Sequence, residues 1–153
     1  MESLEESLGK SKFLKSYKPK LYNILMSTPS NLPIIVPIRT ALPSVKEFKD
    51  LVESNRGTII IKFGAEWCGP CKLIDKQVHT WFDYFSINCP NIQTYLIDVD
   101  DNIDVYGFLK TKKMVNGIPA ILVYKSPNKT FIPDDSVLGA NAQQIDLLFK
   151  RQL

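Results

Sequence analysis

Two cysteines separated by two residues, in Cys68-Gly69-Pro70-Cys71, follow the apolar run Ile59-Ile60-Ile61 and open a segment with helical periodicity. No other feature constrains the chain as much, because strand, Cys-x-x-Cys and helix in succession are how an α/β domain presents a redox dithiol. In such a site the first thiol attacks and the second resolves, which gives Cys68 and Cys71 those roles. The chain has three cysteines in all. An odd number with two in one tight motif argues against a disulfide framework and for a thiol used chemically in a reducing compartment. The cytoplasm is the expected location.

The 153 residues, 44% hydrophobic and 23% charged, suit one soluble domain with a hydrophobic core and an extension. A formal net charge of +3, with the lysines scattered and no aromatic-basic interleaving, excludes a nucleic-acid platform. No run approaches the roughly 18 apolar residues of a membrane span. The first residues include Glu2, Glu5 and Glu6, which resemble neither a secretory leader nor an Arg-rich transit peptide. Richness in Lys, Asn and Ile fits an AT-rich genome, cellular or viral, so association with a virus particle is a second location to consider.

Residues 1–32 read as an extension, partly helical or flexible, with Leu4, Leu8, Leu14, Tyr17, Leu21 and Leu25 at loosely helical spacing. Half of the ten prolines precede residue 44, so no long helix is expected there. Residues 33–153 read as the domain. Ile34, Ile35, Val36 and Ile38 suggest a first strand at a sheet edge, where proline is tolerated. Ser44-Val45-Lys46-Glu47 is a capping box that starts a helix with Val45, Phe48, Leu51 and Val52 on one face. Thr58 to Phe63 reads as a buried central strand. Past the dithiol, Cys71, Ile74, Val78, Trp81 and Phe85 share a helix face, while Lys72, Asp75, Lys76, His79 and Asp83 take the other. Pro70 fits the first turn, where its missing amide would be unpaired anyway. Tyr95 to Asp100 is the next strand, followed by a short helix capped by Asp101 or Asn102. Ala120 to Tyr124 is another strand, residues around Thr130 to Gly139 supply one or two more, and Asn141 caps a last helix carrying Ile145, Leu148 and Phe149. Strand and helix alternate, which predicts parallel pairing in a three-layer α/β domain.

Phe63-Gly64-Ala65-Glu66-Trp67-Cys68-Gly69-Pro70-Cys71-Lys72, then Gly117-Ile118-Pro119 before a buried strand and Leu138-Gly139-Ala140 beyond it, resemble the thioredoxin family over residues 34–153. The resemblance implies a thioredoxin fold, a central mixed β-sheet flanked by helices on both faces. It also implies a thiol-disulfide oxidoreductase that reduces or exchanges protein disulfides through a mixed disulfide and cycles through a Cys68–Cys71 disulfide. Ile118-Pro119 would be the cis-proline element opposite the dithiol, and Trp67, Gly69, Pro70 and Gly139 would line the substrate groove. Disulfide-containing proteins would be the substrates, a thioredoxin reductase or similar protein the electron donor, and the molecule a monomer without cofactor or metal. A cysteine at a helix N-terminus feels unpaired amides and the positive end of the dipole. In thioredoxins, the reference case, this brings its pKa to about 7, against about 8.5 for a free thiol.

Three positions depart from the family pattern. Lys62 stands where thioredoxins usually bury an acid, Gly64 replaces an aromatic residue, and Lys76 replaces the proline that kinks the active-site helix. A charged Lys62 would favour thiolate and a neutral one could take a proton, so the residue either tunes the dithiol or snorkels to the surface. The connection carrying Lys110, Lys112 and Lys113 is either a basic rim beside the groove or a solvated lysine cluster. A zinc site would need four ligands, and His79 and Cys89 are the only further candidates, without a second paired motif. The rival from another class is a thioredoxin-fold interaction module that assembles through its N-terminal extension. Against it, a scaffold has no chemical need for both thiols.

Overall fold

In the computed structural model, which describes residues 32–153, the Ser44 Oγ accepts from the Glu47 amide at 3.1 Å and starts helix α1 (Val45–Ser54), burying Phe48 and Val52. Asn55 ends it. Its amide donates to the Val52 carbonyl and its buried side chain bonds Gly57 and the Tyr124 carbonyl. That turn feeds strand β1 (Thr58–Gly64), followed by helix α2 (Gly69–Asn88), strand β2 (Ile92–Asp98), helix α3 (Ile103–Thr111), strands β3 (Ala120–Lys125) and β4 (Asp135–Leu138), and helix α4 (Ala142–Lys150). Asn141 Oδ1 caps α4 by accepting from the Gln144 amide at 3.0 Å. The amphipathic pattern in residues 1–31 lies outside the described residues.

The sheet runs in the order β2-β1-β3-β4, with β1 central. β1 and β2 are parallel, but β1–β3 and β3–β4 are antiparallel. The sheet is therefore mixed, as the family resemblance implies, and the parallel pairing read from simple alternation holds for β1 and β2 alone. The reason lies in residues 112–119. α3 starts just past Asp98 at the dithiol end, and the chain after it climbs back so that Ala120 pairs with Phe63, one residue from the dithiol end of β1.

The expected edge strand at Ile34 to Ile38 does not form. One bridge, Arg39 with Tyr95, joins this segment to the sheet, through Arg39 N–H to the Thr94 carbonyl and Leu96 N–H to the Arg39 carbonyl. Pro33 and Pro37 have no amide to give a ladder. Val36 instead binds Ser86 at the end of α2 through its amide and its carbonyl.

The alternation of β1 separates two cores. Ile59, Ile61 and Phe63 face α1 and α3, packing with Phe48, Val105, Leu109 and Leu122. Ile60 faces α2 and α4, with Ile74, Val78, Phe82, Phe85, Leu148 and Phe149. Each such fully buried side chain contributes about 1.5–3 kcal/mol of transfer free energy. Helices thus cover both faces. On the first face, burial pushes the Tyr124 phenol far above its ordinary value, with Asp134 adding to the effect, and its hydroxyl donates to the Phe131 carbonyl at 2.8 Å.

Candidate active site

The β1 chain leaves the sheet at Gly64, makes a turn closed by Cys68 N–H to the Ala65 carbonyl, and enters α2 with Cys68 as its N-cap. Cys68 has the extended backbone of a cap (φ −84°, ψ 107°), and its Sγ accepts from the Cys71 amide at 3.2 Å. Pro70 sits in the first turn, as its lack of an amide predicts. The Cys68 sulfur therefore lies where free helix amides point, the position that favours a thiolate when the pair is reduced. Cys68 and Cys71 are bonded to each other, with Cα atoms 5.3 Å apart.

Three loops wall the pair. Trp67 is 68% exposed, and its Nε1–H donates to Asp100 Oδ2 at 2.7 Å. On the opposite side the Ile118 carbonyl lies 3.9 Å from Cys68 Sγ, and the Ile118-Pro119 peptide is cis. The Gly139 amide donates to the Pro119 carbonyl at 2.8 Å, with φ at +102°, a conformation open to glycine and strained for other residues. Gly69 and Pro70 are exposed at the tip. The residues expected from the motif thus come together around one disulfide.

Behind it the site differs from what the pattern alone describes. Lys62 is on the α2 side of β1, only 8% exposed, and its Nζ pairs with Asp75 Oδ1 at 2.8 Å. It does not snorkel free to solvent. A Cβ at position 64 would lie 2.7 Å from Lys62 Nζ and 3.5 Å from Cys71 Sγ, so ammonium and sulfur are within about 6 Å, the range in which a cation stabilises a neighbouring anion. An open cleft of about 300 Å³ reaches this pair, lined also by Ala65, Glu66, His79, Leu96, Ile97 and Asp98.

The thioredoxin family model matches residues 40–147. The chain belongs to the thioredoxin family. It is 33% identical over 107 residues to Thioredoxin-2 of Pyricularia oryzae, an alignment covering 70% of this chain and 55% of that protein's length. It is 31% identical over 112 residues to thioredoxin of Coprinus comatus, covering 73% of this chain and 95% of that one. Among solved structures, the thioredoxin of Fasciola hepatica superposes with a TM-score of 0.58 at 25% identity, over 76% of this chain and 100% of that one. With a bonded Cys68–Cys71 pair at the head of α2, the described domain is a thiol-disulfide oxidoreductase of the thioredoxin fold.

The other sequence candidates make contacts of their own in this thioredoxin-family domain. Lys112 Nζ sits 5.9 and 5.6 Å over the rings of Phe108 and Phe131, next to Tyr124 at the far end of the sheet, so it is no rim to the groove. Lys110 lies over Tyr106. His79 is exposed, its Nδ1 2.7 Å from the Asp75 carbonyl oxygen, and Cys89 is the half-buried C-cap of α2. No group of three metal-ligating side chains stands together among the described residues. Two functional neighbours escaped the sequence reading. Asp100, which orients Trp67, lies in an acidic turn at the dithiol end of β2. Asp75 was placed on the polar face of α2, although its spacing of four from Cys71 was a usable signal.

Proposed function

We propose that the protein reduces or exchanges the disulfides of other proteins, with Cys68 as nucleophile and Cys71 as resolving thiol. The position of Cys68 as N-cap of α2, accepting from the Cys71 amide, carries this reading, because it stabilises negative charge on the sulfur that attacks. The Cys68 thiolate attacks one sulfur of a client disulfide, forming a mixed disulfide and expelling the other client sulfur as a thiolate. Cys71, having lost its proton, then attacks Cys68. The Cys68–Cys71 disulfide forms and the second client sulfur leaves as a thiolate, so two electrons have passed to the client. Trp67, Gly69, Pro70, Ile118, Pro119 and Gly139 form the groove that receives the client segment, and Lys62 adjusts the couple. A thioredoxin reductase or comparable donor returns the electrons, which makes the protein an electron carrier.

Residues 1–32 are the extension and 33–153 the catalytic domain, acting as a monomer in the cytoplasm. No helix among the described residues is long and apolar enough to cross a membrane. The test is reduction of insulin disulfides by the reduced protein, together with Cys71→Ser, which should trap a client on Cys68. Absence of both turnover and trapping overturns the proposal.

A further inference from the structure

The chemistry above has Lys62 adjust the couple but gives no role to its partner Asp75 or to the cleft the pair faces, and Lys62 stands beside the thiol whose activation is still unexplained. We propose that Asp75 is a positioning residue: it clamps the Lys62 ammonium beside Cys71 and so sets the pH at which Cys71 resolves the mixed disulfide. This rests on the dithiol roles proposed above.

A lysine in the middle of a sheet needs a partner, since an uncompensated buried charge is costly. Lys62 has one, Asp75, at 2.8 Å. Asp75 follows Cys71 by four residues, so both lie on one side of α2, and an ammonium held by that carboxylate is held beside that sulfur. Gly64 leaves room for it, as a Cβ there would stand 2.7 Å from Nζ and 3.5 Å from Cys71 Sγ.

The cleft makes the clamp necessary. It is lined by Lys62 from β1, Glu66 from the β1–α2 connection, Asp75 and His79 from α2, and Asp98 from β2. Glu66 and Asp98 therefore offer Lys62 two other carboxylates, and solvent enters between them. His79 is engaged with the Asp75 carbonyl oxygen through Nδ1. Without the Asp75 carboxylate the ammonium turns towards Glu66, Asp98 and water, and Cys71 loses the cation that favours its thiolate. Cys71 itself is buried, and its proton goes to solvent when the thiolate forms.

The experiment uses the reduced full chain carrying Cys89→Ser, which removes the third thiol, and Ellman's reagent. Attack by Cys68 releases one thionitrobenzoate and leaves a mixed disulfide, and attack by Cys71 releases the second, so the two steps are read separately across pH. Asp75→Ala should slow the second release about tenfold at neutral pH and raise its pH midpoint by about one unit, leaving the first release nearly unaltered. Asp75→Asn keeps an oxygen that accepts from Nζ and should recover most of the loss. In a Lys62→Met background, Asp75→Ala should change nothing further. A second-release profile for Asp75→Ala superimposable on the parent, or the same shift with and without Lys62, overturns the role of Asp75. Absence of any first release from the parent overturns the dithiol chemistry itself.

Discussion

Gly64→Ala places a methyl group where the Lys62 side chain now runs, and its cost can be worked from the contacts. The new Cβ would lie 2.7 Å from Lys62 Nζ, 3.2 Å from its Cε and 3.5 Å from Cys71 Sγ. Non-bonded heavy atoms rest at about 3.5–4.0 Å, so the sulfur contact is tolerable while the ammonium has to retreat by about 1 Å. The end of a lysine side chain yields before the strand does, and the retreat weakens the 2.8 Å pair with Asp75. With Lys62 10% and Asp75 41% exposed at the side chain, the loss falls between a surface pair and a buried one, about 2 kcal/mol. Alanine returns about 0.4–1 kcal/mol by restricting the unfolded chain. The net expectation is a destabilisation of about 1 kcal/mol, measured by urea unfolding of the oxidised protein. In a Lys62→Met background there is no ammonium to displace, and the same substitution should be neutral or slightly stabilising. Equal costs in the two backgrounds would show that the side chain does not occupy the space beside Gly64.

Two further outcomes follow from contacts elsewhere. Asp100→Ala removes the acceptor that holds the Trp67 indole, so insulin reduction should slow about three- to tenfold through loss of groove geometry. The urea midpoint should barely move, and an unaltered reduction rate would mean the indole needs no anchor. At β4, burial pushes the Asp135 carboxyl upward, but the Arg151 guanidinium, the Ser136 amide and Gln152 outweigh it and hold the group below its ordinary 3.8. A carboxyl depressed in the folded state contributes stability that is complete above its unfolded value and is lost as pH falls towards the folded one. Asp135→Asn should therefore lower the urea midpoint at neutral pH, with the difference closing below pH 3.8. A difference constant with pH would rule out this source.

Local signals in the sequence were enough for most elements. Ser44 and Asn141 announce their helices because a cap is a short-range bond, and α2 is legible from a stripe that ends at Phe85. Cys68, Cys71, Trp67 and Ile118-Pro119 were legible together because one specific motif and one distant dipeptide carry them. What escaped depends on contacts between elements. The direction of β3 is decided by how residues 112–119 return to the dithiol end, and a strand of the same composition fits either direction. The stretch from Ile34 to Ile38 has strand-forming side chains, yet Pro37 has no amide to give and Val36 gives its own to Ser86. The environment of Lys62 could not be read from β1 alone, since its partner sits thirteen residues on in another element. The parity of β1 did fix which face it shares with Ile60, and so which helix would supply that partner.

Cys68 is the cap of α2, and the attacking role proposed for it ties the grip on that helix to the stage of the reaction cycle. A thiolate accepts the Cys71 amide strongly, because hydrogen bonds to ionised groups are about twice as strong as neutral ones. Once the sulfur is bonded to a client it carries no charge, and the first turn of α2 is held less firmly than by the thiolate. That turn carries Cys71. The hold on the resolving residue thus slackens at the stage when its sulfur must swing onto Cys68, and it tightens again when reduction restores the charge. On the roles proposed, arrival of a client weakens the hydrogen bond at the head of the helix that carries the resolving cysteine.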